Sequence, residues 1–466
     1  MATLTLAILM GASAAVESAG AQTLEEALAQ AYSSNPRLLS QRAALRAVDE
    51  GVPRAKSGWR PTVQINGSVG ARYSSNEAGS TGNVSSENTT PASAGLNLSQ
   101  PLWRGGATAA ETEAAESRVL SGRANLIDSE QQVLVASATA YMNVVRDQSV
   151  VELNINNEQV LERQLQATRD RFEVGEVTRT DVSQAEARLS DAAASRIEFE
   201  GLLQLSRASY ESLIGGVPGL LLFPDLTETI QLPPTDGAAR SLALQRNPTI
   251  QRAGFNERAA LHDISAAGAS LLPQITLDGN LQRSWDPNSF FSQSDNASLI
   301  ANVTVPLYQS GAEYARVREL RQIAVQRRRE LDEARRTVVE TVTGNWVRLV
   351  TAQARIRAFK FAVRANEIAL DGVQQEAAVG ARTVLDVLDA EQELFDARVN
   401  LVRAQTNEVI AAFELLRVVG GMTARGLILP TALYDPVEHY EEVRDKWIGF
   451  GSDYQADDSL FGLDLE

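Results

Sequence analysis

Charged groups able to do chemistry concentrate in one short stretch. Arg382 is followed by Asp386 and Asp389, and the i, i+3 spacing of the two acids puts them on one side of a helix. Glu393 and Asp396 prolong that spacing into an acidic stripe, which at those two positions reads as a solvated face. An arginine beside carboxylates makes a strong, directional contact where water is partly excluded. Carboxylates gathered in a ring select cations. Elsewhere the chemistry is sparse. The chain has no cysteine, which removes disulfides, thiolate metal sites and thiol nucleophiles together. Its two histidines, His262 and His439, stand far apart and read as ordinary solvated side chains. No triad, metal cluster or phosphate-binding loop occurs, so the sequence predicts neither an enzyme nor a cofactor. With 43 basic residues against 59 acids and a net charge of −16, nucleic acid is a poor partner, because its affinity comes from basic groups that neutralise phosphates.

The charged stretch sits in a chain that is written twice. Asn35-Pro36 recurs as Asn247-Pro248 and Pro61 as Pro273, an offset of 212 (247−35). The run from Pro101 to Gly106 is echoed from Pro306 to Gly311 at an offset of 205 (306−101), which also carries Gly175 onto Gly380 and Asp181 onto Asp386. Such self-similarity marks an internal duplication. The copies differ at the charged stretch. Arg382 maps to Val177 and Asp389 to Gln184, so only the second copy has the cation followed by two acids. The expected organisation is a signal peptide over 1–21, repeat 1 over 22–229, repeat 2 over 230–430 and an acidic, partly disordered tail over 431–466.

Each repeat predicts a helical segment, a strand pair and a long helix pair. No proline occurs between Gly106 and Pro218, or between Gly311 and Pro430, and both spans are rich in helix formers. A glycine interrupts each at the matching point, giving a helix of about 70 residues, a turn and a helix of about 40, with the longer reaching about 100 Å. Leu134, Ala138, Tyr141 and Val145, and the heptad Leu388, Phe395, Val402 and Val409, mark coiled-coil packing. Segments 23–56 and 236–267 read as shorter helices broken at Asn-Pro.

Val63, Ile65, Gly67, Val69, Ala71 and Tyr73 alternate with polar residues, as in a tilted barrel strand, and a return strand runs over 94–100. Between them, 74–90 reads as an exposed loop. Repeat 2 has Ile275, Leu277, Gly279 and Leu281, then Leu299, Ala301, Val303 and Val305, joined by a loop holding Asp286-Pro287-Asn288. Four strands cannot close a barrel, whose smallest examples have about eight. Chains must therefore pool their strands, by a number the sequence leaves open. Leu4 to Ala15 form an apolar run, and Ala19 and Ala21 suit cleavage after Ala21, although no Lys or Arg precedes the run. An exported chain without a membrane helix can span a bilayer only as a closed barrel.

The duplicated strand and helix pairs, together with Arg171 to Gly175, Thr180 to Val182 and Val379 to Ala390, resemble the TolC family of outer-membrane efflux and secretion channels. The resemblance implies a mainly α fold with transmembrane β: a homotrimer with a coiled-coil α-helical barrel and a shared twelve-stranded β-barrel. The expected location is the outer membrane of a Gram-negative bacterium, in contact with its lipid, with the tunnel in the periplasm. The function it implies is an exit duct for type I protein secretion, multidrug efflux or both. Its partners would be a periplasmic adaptor and an inner-membrane transporter, either ABC-type or proton-driven. The alternative without a conduit is an exported coiled-coil scaffold or adhesin stalk. The segment from Leu433 to Gly449 resembles tails of the secretion branch. By resemblance, Arg382 is a gate residue linking to a neighbouring hairpin at Thr180 and Asp181. Asp386 and Asp389 form acids of the pore constriction, some with raised pKa through mutual repulsion. Gly175, Glu176, Gly380 and Ala381 are the tips that meet the adaptor. One departure is Ala377, five residues before the arginine, where a member of this family has a gate tyrosine.

Overall fold

The computed structural model describes residues 22–77, 84–224, 230–288 and 291–450. The expected signal peptide and the end of the tail, 451–466, lie outside the described residues. Helices α1 (Leu24–Ser34), α2 (Pro36–Asp49) and α3 (Gly51–Lys56) lead into strands β1 (Thr62–Val69), β2 (Arg72–Glu77), β3 (Val84–Thr89) and β4 (Ala92–Arg104). The hairpin of α4 (Ala107–Glu173) and α5 (Arg179–Ile214) follows. The order then recurs as α6 (Asp236–Arg246), α7 (Pro248–Gly268), β5 (Gln274–Asn288), β6 (Phe291–Thr304), α8 (Ala312–Ala378) and α9 (Val384–Val419), with α10 (Glu438–Val443) last. The paired long helices match in length, 67 residues for α4 and α8 and 36 for α5 and α9. At both Asn-Pro breaks the asparagine caps the next helix: Asn35 accepts from Arg37 N at 3.0 Å and Asn247 from Thr249 N at 2.9 Å.

The chain forms two compact units. One holds residues up to Leu38, Glu130–Leu242 and Thr341–Leu433, and the other holds Leu39–Ser129, Ala243–Glu340 and Tyr434 onward. In the first, the expected coiled-coil positions Leu134, Ala138, Tyr141 and Val145 are all buried. The Tyr141 hydroxyl, with one proton to donate, lies 2.7 Å from Leu222 O and 2.9 Å from Gln22 O, pinning the start of the described chain.

The second unit contains the sheet. Its antiparallel order is β1-β4-β5-β6, so β1 and β6 are unpaired edges within the chain. One face aligns Ile65, Leu96, Leu281 and Ala297 across the four strands, and beside it Val63, Leu98, Gly279 and Leu299. The other face is polar. Ser99 and Asn302 donate to the Asp278 carboxylate at 2.6 and 2.7 Å, and Asn280 donates to Asn97 at 2.6 Å. Such a two-faced sheet is what a membrane barrel wall requires. Among the described residues no helix is long and apolar enough to cross a membrane.

Several expectations need correction. The expected loop 74–90 is partly strand: β2 and β3 pair from Arg72↔Thr89 to Glu77↔Val84, and 78–83 lie outside the described residues. The first strand is interrupted at Gly70 and Ala71 rather than running unbroken through Tyr73: Gly70 N still donates to Pro91 O at 3.0 Å, but Pro91 has no N–H to return, and β2, which holds Tyr73, resumes the same register. β4 runs on through Pro101, which a register shift before Trp103 accommodates, since proline has no ladder donor. Asp286-Pro287-Asn288 belongs to the end of β5. Neither histidine is merely solvated. His262 Nδ1 lies 2.9 Å from Glu113 Oε2, and His439 Nδ1 lies 3.4 Å from Asp49 Oδ2.

Candidate functional site

The turns between the long helices share one design. After α4, Gly175 adopts φ 82° and Glu176 N donates to Arg171 O at 2.9 Å; after α8, Gly380 adopts φ 81° and Ala381 N donates to Glu376 O at 2.9 Å. This closes the last helical carbonyls and needs a residue without a Cβ at positive φ. The next helix opens on a capping box. Asp181 Oδ2 accepts from Thr178 N and Oγ1 at 2.7 and 2.8 Å, and Asp386 Oδ2 accepts from Thr383 N and Oγ1 at 2.8 and 2.7 Å. These bonds, the backbone ones first, hold both carboxyls below the usual carboxylate range. Within one chain the effect on Asp386 is thus opposite to the rise expected from a ring of acids, and its cause is the cap.

Arg382 and Asp389 each have a partner that sequence spacing did not disclose. Arg382 Nε donates to Glu376 Oε2 at 2.8 Å, across its own turn, whereas Thr180 and Asp181 sit on the other hairpin. Asp389 accepts from Arg188 Nη2 at 2.6 Å, which ties α9 to α5. Beside that pair, Leu161, Leu165, Ala185, Ala192, Val384 and Leu388 form one buried cluster with Val177 packed on it. Where the second copy places the Arg382 cation, the first therefore places an apolar contact. Farther along α9, burial pushes the Glu391 carboxyl up while Gln374 donates to it at 3.0 Å. The tips expose matching apolar residues, Val174 at 72% and Val379 at 81%, and Ala377 is buried.

Thr178, Thr383, Glu376 and Arg188 were missed in the sequence. The two threonines were findable, because Thr-x-x-Asp before a helical run is a capping signature. Arg188 was not, because its partner lies 201 residues away (389−188).

These hairpins and the sheet have known counterparts. The family model described as "Outer membrane efflux protein" matches residues 27–216 and again 239–421. Over 434 residues the chain is 34% identical to outer membrane efflux protein BepC of Brucella suis, covering 93% of each. It is 28% identical over 416 residues to outer membrane protein TolC of Vibrio cholerae, covering 88% of this chain and 93% of that one. Among solved structures, the outer-membrane channel OprN superposes with a TM-score of 0.75 over 85% of this chain and 90% of its own, at 21% identity, a likeness of fold. Matched over most of its length, the chain belongs to the outer membrane efflux protein family.

Proposed function

We propose that three copies of this chain close into one outer-membrane conduit, the exit duct of an efflux or secretion system. The observation that carries this reading is the sheet: four strands, one apolar face, one polar face and both edges open. Open edges beside an apolar face aggregate unless they are paired, and a second and third copy would pair them. The family match favours a duct over a stalk, which has no use for a two-faced sheet. The equal helix lengths at a constant offset support an origin by duplication. By this reading the polar face lines the pore, the apolar face meets lipid, and the hairpins form the periplasmic tunnel. Detergent-extracted protein should run as a trimer in size exclusion with light scattering. A soluble, folded monomer without detergent would sink the proposal.

The gate belongs to the same reading. Arg382 would leave Glu376 for Thr180 and Asp181 of the neighbouring copy, since Asp181 commits only Oδ2 to its cap and is half-buried at the tip. Asp386 and Asp389 would ring the constriction. Gly175, Glu176, Gly380 and Ala381, flanked by Val174 and Val379, would present the tips to a periplasmic adaptor coupled to an inner-membrane ABC or proton-driven transporter. The secretion-like tail favours a protein-exporting system as one use.

A further inference from the structure

We propose that Asp49 and His439 form a proton-binding lock that fastens the carboxyl-terminal segment 434–447 onto α2, α3 and α4. The segment is built in rather than draped. Tyr440 and Ala55 pack against the buried cluster of Val52, Ala115 and Val119, and Val443 is buried. Three guanidinium groups lie over its rings: Arg42 over Tyr434, Arg123 over Tyr440 and Arg60 over Trp447, at 5.1, 5.0 and 4.9 Å. Lys56 Nζ reaches Asp445 at 2.7 Å, and Arg60 Nη1 donates to Lys446 O at 2.7 Å.

At the centre the charges are incompletely paired. Asp49 is 1% exposed, and its Oδ1 has no hydrogen-bond partner among the described residues, nor have Arg123 Nε and Nη2. A buried carboxylate with one free oxygen is costly, so its state depends on the charge beside it. That neighbour is His439, at 3.4 Å from Oδ2. Burial pushes the Asp49 carboxyl up, while His439 and then Arg123 pull it down and Glu50 adds to the rise. The other charged groups around the pair are Arg54 and Arg60 from the α3 side, Glu442 and Lys446 from the tail, and Glu438, which acts on nearby Tyr434. Of these side-chain types imidazole is the one that changes charge between pH 5 and 8. With a proton on His439 and none on Asp49 the pair is an ion pair. Loss of the imidazolium proton or protonation of the carboxylate abolishes that ion pair, so the lock depends on pH.

Hydrogen exchange read by mass spectrometry on the detergent-solubilised full chain tests this, with rates corrected for the intrinsic pH dependence of exchange. Protection of amides 438–446 should fall at least threefold from pH 6 to pH 8. In His439→Gln, a substitution at a partly exposed position, the profile should be flat, and likewise in Asp49→Asn. Protection that does not change with pH in the native chain, or an unaltered slope in His439→Gln, overturns the proposal. Neither outcome depends on the trimer or the gate, which are read by light scattering and conductance.

Discussion

The helices α5 and α9 are the same element twice, yet they are buried differently. Both have 36 residues, open on a Thr-x-x-Asp capping box and end on a left-handed glycine, Gly215 or Gly420. Within the chain α9 buries sixteen residues and α5 six. Leu205, at 69% exposure, corresponds to Ile410 (205+205), which is half-buried. Ile197 and Leu202 are likewise exposed on α5, as Phe361 and Ile368 are on α8. The two helices thus share length and caps but divide the labour of packing. α9 is largely buried by its own chain, and α5 leaves apolar surface exposed, which the proposed trimer would cover.

The sharpest way to break this contrast is a charge on each member of the pair. Leu205→Glu should leave the helical content intact by circular dichroism and abolish the trimer in light scattering, because in the proposed assembly a neighbour covers this exposed side chain. Ile410→Glu should strike the chain itself, lowering Tm whether or not the trimer forms. Equal effects on assembly from both would end the division of labour. Next in size is the cluster at the tips. Leu388, at 1% exposure, should cost about 2–5 kcal/mol as Leu388→Ala, through lost transfer energy plus a cavity. Its counterpart Ser183 (388−205) is exposed, and Ser183→Ala should stay within about 0.5 kcal/mol in thermal unfolding.

Much of this was legible from spacing alone. Proline-free runs bounded by glycine located α4, α5, α8 and α9, because a long helix forbids proline and its reversal requires positive φ. Alternation located the core strands β1, β4, β5 and β6. It failed for β2 and β3, whose Ser, Asn and Glu residues look like loop, since a strand with no buried face leaves no period-two signal. The charged stretch was visible as a cluster and opaque as a network. Nothing in the run from Arg382 to Asp389 tells that Arg188 reaches Asp389, although Thr383-x-x-Asp386 does announce that Asp386 spends its carboxylate on its own helix end. The tail was read as acidic and partly disordered; its described part is held by Arg42, Arg60 and Arg123, scattered through the first 123 residues, which the sequence could not disclose.

The caps offer a finer test, in which the copies should agree. Thr178→Ala and Thr383→Ala should each cost about 1 kcal/mol of local stability at the tips. Both aspartates have folded pKa values below the ordinary one, so their contribution is present at neutral pH and disappears as pH falls through the depressed values. Amide protection after both turns should then fall in parallel as the pH is lowered below about 4. A response at one tip alone would show that the boxes are not energetically equivalent.

The smallest effects are expected where the copies differ in charge. Arg382 and Glu376 are both about half exposed, so Arg382→Ser should not move Tm. If the same arginine also bridges to a neighbour's Asp181, its removal should raise single-channel conductance in planar bilayers, and Val177→Ser at the matching position should not. Unchanged conductance with the trimer intact would confine Arg382 to its own turn. Asp389 is the more delicate case, because it has two possible employments. As a pore acid it contributes one negative charge per chain near the axis, favouring cations and binding multivalent ones. As a strut it neutralises Arg188 and joins α5 to α9. Replacing Asp386 together with it would confuse the matter by removing a cap, so the informative change is Asp389→Asn alone, with Asp389→Asn/Arg188→Gln beside it. A pore role predicts weaker trivalent-cation block from the periplasmic side in both variants, with the reversal potential shifted toward anions more in the single variant, which leaves Arg188 uncompensated. A strut predicts block and selectivity like the parent in the double variant, and faster exchange of the tip amides in both.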